Sequence, residues 1–190
     1  MKDMLEIRWH GRGGQGAKTA SQFLAEAALE LGKHIQAFPE YGPERAGAPI
    51  RTFTRISDHK INVHSPITNP DIVVVIDPTL LVSVDAAEGL GDNGILVVNT
   101  PEGPEAIREK AGYKKGKVVT CDGTKISLDT LGISMPNTPM LGALLKANPV
   151  VPIETLENKV RNKFLKKLGP EKTEANIKAI RRAFEEAKIG

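Results

Sequence analysis

A chain of 190 residues that is 40% hydrophobic and 26% charged can bury one core of ordinary size and is too balanced for intrinsic disorder, so a single domain over residues 1–190 is expected. Its 26 Lys and Arg stand against 23 Asp and Glu, and a net charge of +3 is too small to argue for nucleic acid or a membrane surface. The lone Cys121 excludes an intramolecular disulfide and cannot alone ligate an iron–sulfur cluster, which takes about four thiolates. No apolar run approaches a signal peptide's h-region or the roughly 20 residues of a membrane span, so a cytoplasmic protein is expected.

In chain order, Leu5–Trp9 reads as a strand, a glycine loop follows, and Ala17–Leu31 carries apolar residues at helical spacing up to Gly32. His34–Phe38 reads as a second strand, and Pro39–Pro49 is a loop rich in Pro and Gly. Ile50–Ile56 and Lys60–His64 alternate around the turn Ser57-Asp58-His59, which predicts a β-hairpin. Asp71–Asp77, Ile95–Asn99 and Lys117–Cys121 are β-branched runs of the kind that helices bury on both faces. Helical segments are predicted between them near Thr79–Glu88 and Pro104–Gly112. Beyond Asp122 the pattern turns helical: Lys125–Leu131, Met140–Ala147, then two amphipathic helices with stripes Leu156, Val160, Phe164, Leu168 and Ile177, Ile180, Phe184, Ala187. The sum is an α/β protein: a three-layer α/β/α sandwich on a mostly parallel, Rossmann-like sheet, with a β-hairpin insertion and C-terminal helices.

Gly11, Gly13 and Gly16 satisfy G-x-G-x-x-G between a predicted strand and a predicted helix. Glycines let backbone N–H groups approach an anion, and the following helix directs its positive end there; Arg12 and Lys18 add charge. A P-loop is a poor fit, because Ala17 displaces Lys18-Thr19 by one residue, about 100° around the helix. A free-standing dinucleotide-binding dehydrogenase is the alternative, with Glu40 near the place of the ribose-gripping acid; Pro39 and the predicted hairpin count against it. A tight turn or a protein contact would explain the loop equally well.

More than the loop points one way. Trp9-His10-Gly11-Arg12-Gly13-Gly14-Gln15-Gly16, Gln36–Pro49 with Tyr41-Gly42-Pro43-Glu44-Arg45, Asp77-Pro78-Thr79-Leu80-Leu81 and Asn137-Thr138-Pro139-Met140-Leu141-Gly142-Ala143 together closely resemble the γ subunits of pyruvate:ferredoxin oxidoreductases (pyruvate synthases), in the 2-oxoacid:ferredoxin oxidoreductase family. The resemblance runs over essentially the whole chain. It implies one subunit of a heterotetramer that decarboxylates pyruvate on thiamine diphosphate, passes electrons through iron–sulfur clusters to ferredoxin, and hands the acetyl group to coenzyme A. Thiamine and clusters would then lie on the α, β and δ partners, since this chain has neither a cysteine array nor the Gly-Asp-Gly segment with paired asparagines; Gly91-Asp92-Asn93 reads as a turn. No catalytic residue and no metal ligand is expected here. The expected contact residues for coenzyme A are Gly11, Arg12, Gly13, Gly14, Gln15 and Gly16, with Glu44 and Arg45, which serve equally as a subunit contact.

The other candidates read as structural. His10 is expected to be a turn residue bonded to nearby backbone, Asp77 and Asn137 or Thr138 to cap helices, and Cys121 to pack within a strand.

Overall fold

The computed structural model describes residues 3–40 and 47–190. The chain forms, in order, β1 (Met4–Arg12), α1 (Ala17–Glu30), β2 (His34–Pro39), β3 (Pro49–Ser57), β4 (Ile72–Val75), α2 (Leu80–Ser83), β5 (Ile95–Asn99), α3 (Pro104–Lys110), β6 (Lys117–Cys121), α4 (Gly123–Leu131), α5 (Asn137–Ala147), α6 (Ile153–Glu186, broken at Gly169) and β7 (Lys188–Ile189). The strands make one sheet in the order β2-β3-β1-β4-β5-β6-β7. β1, β4, β5 and β6 run parallel, while β3 lies antiparallel between β1 and β2, and β7 antiparallel beside β6. This is the expected α/β fold with a mostly parallel centre, helices covering both faces.

One face is the larger core. Ile7, Trp9, Val74, Val97 and Val119 meet the apolar sides of α1, α5 and α6 there. In α1 the buried residues Ala17, Ala20, Phe23, Leu24, Ala27 and Ala28 recur at spacings of three and four, one stripe of a helix laid on the sheet. α5 is buried nearly all round, between the sheet and α6. Gly142 makes that possible: a Cβ would stand 2.1 Å from the Ile180 carbonyl oxygen, so only glycine lets α5 and α6 approach so closely. On the opposite face Val73, Val75, Leu96, Val98 and Val118 meet Leu80, Ile107 and Tyr113 in a smaller core.

Several predicted elements come out differently. The hairpin partner of β3 is β2, and Lys60–His64 forms no strand. β3 already has β2 on one edge and β1 on the other, so the chain after Ser57 has no edge of β3 left to join. It crosses the sheet face instead, where Arg55 donates to the carbonyls of Val63 and Ser65. The helix expected over Thr79–Glu88 is the single turn α2. Its continuation is drawn out because buried Arg8 takes the carbonyls of Ala86 and Glu88, which a helix would have used internally. The two long C-terminal helices fall at either side of Gly169-Pro170, where Pro170 has no N–H to continue the ladder. β7 carried no usable signal, being two residues long.

Candidate functional site

The sheet has a topological switch point between β1 and β4. From β1 the chain leaves through α1 on the larger-core face towards β2; from β4 it leaves through α2 on the other face towards β5. In open α/β sheets the crevice beyond the strand C-termini at such a point is where ligands bind. Here the glycine loop stands on one side of that crevice and Asp77-Pro78-Thr79 on the other.

The first half of the loop is tied inward. The Arg12 N–H donates to Gln15 Oε1 at 2.8 Å, the Gln15 N–H returns to the Arg12 carbonyl at 3.1 Å, and the Gly13 N–H donates to the Ala48 carbonyl at 3.0 Å. The Arg12 guanidinium donates to the Gly47 carbonyl (3.2 Å) and to Thr79 Oγ1 (2.9 Å), and its Nε lies 3.2 Å from Asp77 Oδ2. Gln15 Nε2 donates to the same Asp77 oxygen at 2.7 Å. The other oxygen, Oδ1, accepts from the Thr79 hydroxyl at 2.6 Å and the Thr79 N–H at 3.0 Å. Burial works to raise the Asp77 carboxyl, but the hydrogen bonds from Thr79 and Gln15, with Arg12 beside them, outweigh it and hold the group below the usual carboxylate range.

The second half opens outward. Gly14 (φ +95°) and Gly16 (φ +79°) are left-handed, and a Cβ on Gly16 would lie 2.5 Å from Asn137 Nδ2. Gly16 is also the N-cap of α1, whose first turn has no side-chain cap, so its positive end is free of a capping oxygen. Gly14, Gly16 and Thr19 line a cavity of about 620 Å³, with Asn137, Lys167, Lys172 and one carboxylate, Glu171, around it and apolar residues from α4 and α6. Asn137 donates from Nδ2 to the Gly16 carbonyl at 3.4 Å, and its buried Oδ1 has no hydrogen-bond partner. An uncapped helix start, two lysines and apolar residues together suit a molecule with an anionic end and an uncharged body.

Of the expected contact residues, Gly14 and Gly16 therefore face the cavity, whereas Arg12, Gly13 and Gln15 are held in the loop's own network. Gly11 packs against Ala17. Glu44 and Arg45 lie outside the described residues, although Gly47, which follows them, donates to the Gly13 carbonyl at 3.3 Å. Lys18 points away, exposed. His10 is no turn residue: it sits within β1 and accepts from Arg8 Nε at 3.0 Å through Nε2, so the neutral ring carries its proton on Nδ1. Burial first, then the charges of Arg8 and Arg51, push its pKa down to about 3. Asp77 forms the expected cap-like bonds to Thr79 but also gathers the loop. Asn137 and Thr138 are not caps. They tie α5 to the glycine loop and, through Thr138 Oγ1 and Asn176 Oδ1 at 3.0 Å, to α6. Cys121 is a packed strand residue whose thiol burial pushes up to about 12. Gly91-Asp92-Asn93 is a turn, closed by the Gly94 N–H on the Gly91 carbonyl.

Glu40 ends the dehydrogenase alternative. In that fold the acid stands on the strand beside the glycine loop; here β3 intervenes between β1 and β2, and Glu40 is paired with Arg51. Lys167, Lys172 and Phe164 were missed by sequence reasoning, because only the break at Gly169 brings that part of α6 to the loop.

Comparison with known proteins agrees with this fold. The chain is 54% identical over 187 residues to the pyruvate synthase subunit PorC of Thermotoga maritima, covering 98% of this chain and 96% of that one. It is 48% identical over 186 residues to the common γ subunit of the pyruvate/ketoisovalerate oxidoreductases of Pyrococcus abyssi, covering 98% of both. The crystal structure of pyruvate oxidoreductase subunit PORC from Thermotoga maritima superposes with a TM-score of 0.88 at 49% identity, over 100% of this chain and 99% of that one. Residues 6–186 match the pyruvate ferredoxin/flavodoxin oxidoreductase family, and to that family this chain belongs.

Proposed function

We propose that this chain is the γ-type subunit of a pyruvate:ferredoxin oxidoreductase, and that the cavity at the start of α1, beside its switch point, holds the phosphate end of coenzyme A. The assembly would decarboxylate pyruvate oxidatively to acetyl-CoA and CO2 and pass the electrons to ferredoxin. Thiamine diphosphate and the iron–sulfur clusters belong to the α, β and δ partners in this reading. The one cysteine of this chain is buried, and no group of three or more His, Cys, Asp or Glu among the described residues is placed to hold a metal. No helix among them is long and apolar enough to cross a membrane.

The observation that carries the coenzyme A reading is the cavity at the uncapped start of α1. Coenzyme A has a phosphorylated nucleotide at one end and a long neutral arm, matching the glycine loop, lysines and apolar residues that together line the cavity. Glu44 and Arg45 join the proposal because the residues just after them, Gly47 and Ala48, are bonded to Gly13. Calorimetric titration of coenzyme A into the assembled complex tests it. A Lys167→Ala, Lys172→Ala double variant and an Arg12→Ala variant are each expected to weaken binding about tenfold, equivalent to about 1.4 kcal/mol. Unchanged affinity in both would remove coenzyme A from this subunit.

A further inference from the structure

We infer that Asp77 is a positioning residue for the anion-binding cavity, setting through Arg12 and Gln15 the shape of the glycine loop that lines it, without touching the ligand. The inference rests on the coenzyme A reading above. Asp77 follows β4, on the far side of the switch point from the glycine loop, and is only 8% exposed. Its carboxylate gathers groups from two chain segments 62 residues apart in sequence: Gln15 at 2.7 Å and Arg12 at 3.2 Å on Oδ2, and Thr79 twice on Oδ1. A helix cap alone would need only the Thr79 bonds.

The consequence for Arg12 is geometric. One N–H of each terminal nitrogen is spent, on the Gly47 carbonyl and on Thr79 Oγ1, and Nε is turned to Asp77. So held, Arg12 ties the start of the loop to Gly47 and Thr79 and leaves Gly14 and Gly16 to face the cavity. Gln15, anchored by its amide nitrogen to Asp77, presents Oε1 to the Arg12 N–H and so sets the shape of the loop that the ligand meets. A loop already immobilised loses less entropy when it binds a ligand.

A purely electrostatic role for Asp77 predicts the reverse sign. Removing its charge would leave Arg12 uncompensated and attract an anion more strongly. Asp77→Asn separates the two, since it keeps the shape but turns one oxygen into a donor facing Gln15 or Arg12. In the assembled complex the expected result is a KM for coenzyme A raised about tenfold, kcat within twofold and the KM for pyruvate unchanged. In an Arg12→Ala background the same change should add less than twofold. Thr79→Val, at an exposed position that does not threaten folding, removes the hydroxyl linking Asp77 to Arg12 and should raise the KM for coenzyme A about threefold. A lower KM in Asp77→Asn, or full additivity with Arg12→Ala, overturns the inference. If Arg12→Ala and the lysine double variant raise the KM while Asp77→Asn and Thr79→Val do not, the positioning role fails alone; if none of them does, the coenzyme A reading fails with it.

Discussion

The two halves of the sheet solve one problem in opposite ways. In the parallel half, β4, β5 and β6 are apolar on both faces, and helices supply apolar surface on either side. In the antiparallel half, β2, β3 and β1 turn their aliphatic side chains towards α1, and their other face mixes Phe38 and Phe53 with buried charge. Their other face carries Arg8 and Arg55, at 3% and 1% exposure, with His10 beside them. No helix covers that face among the described residues; irregular chain after β3 and after α2 does, and such chain brings carbonyls that have no ladder to join. The arginines satisfy them. Arg55 reaches the carbonyls of Val63 and Ser65, with Glu6, Gln36 and the Phe38 ring completing its shell. Arg8 reaches those of Thr68, Ala86 and Glu88. A buried guanidinium with its fork of donors is thus the counterpart, over irregular chain, of the valines that face a helix.

Substitutions on either side sharpen the contrast. Arg55→Ala, which takes a buried cation from the Glu6 carboxylate and the donors from two carbonyls at once, is expected to cost about 4 kcal/mol by chemical denaturation. Leu96→Ala in the parallel half removes only apolar contact and should cost about 3 kcal/mol, with the denaturant slope unchanged. Native-state hydrogen exchange should then separate them: Arg55→Ala loosens amides of 58–70 beyond the global loss, whereas Leu96→Ala does not.

The arginine face also predicts a pH dependence that the apolar half lacks. The folded pKa of His10, about 3, lies below its unfolded value of 6.5. Well above pH 6.5 neither state holds the extra proton and stability is complete. As pH falls towards 3 the unfolded chain accepts a proton that the folded chain refuses, and stability drops. Between pH 7.5 and 5.5 His10 should account for a loss of about 1.4 kcal/mol. His10→Gln, which still offers Arg8 an acceptor, should flatten that slope; an unaltered slope would mean the histidine is not its source. The smallest effect is expected where charge is paired on the surface. Lys115→Ala, breaking the exposed pair with Asp92, should leave the melting temperature unchanged within error.

How far the sequence could be read depended on how local the cause was. The β-branched runs of β4, β5 and β6 declared themselves because burial on both faces demands that composition wherever the strands lie. The stripe of α1 and the glycines between it and β1 were equally plain. The Lys60–His64 strand failed because alternation shows that a segment is able to pair, while pairing needs a free edge, and β3 had none. The helix over Thr79–Glu88 failed because its carbonyls went to an arginine 78 and 80 residues away. In the site, the glycine loop was legible, but its division into a half bound to Asp77 and a half open to the cavity was not. That division depends on Gln15 meeting Asp77 and on Gly16 meeting Asn137, 62 and 121 residues distant.

By itself, then, the sequence determined the α/β class, the strands of the parallel half and the place of the glycine loop, all consequences of short-range periodicity and of what glycine alone permits. The tertiary structure decided which strand neighbours which, what covers the arginine face, and which residues surround the start of α1. Those outcomes follow from competition among distant groups for a limited number of edges and hydrogen-bond partners, and such competition is settled only once the chain has closed on itself.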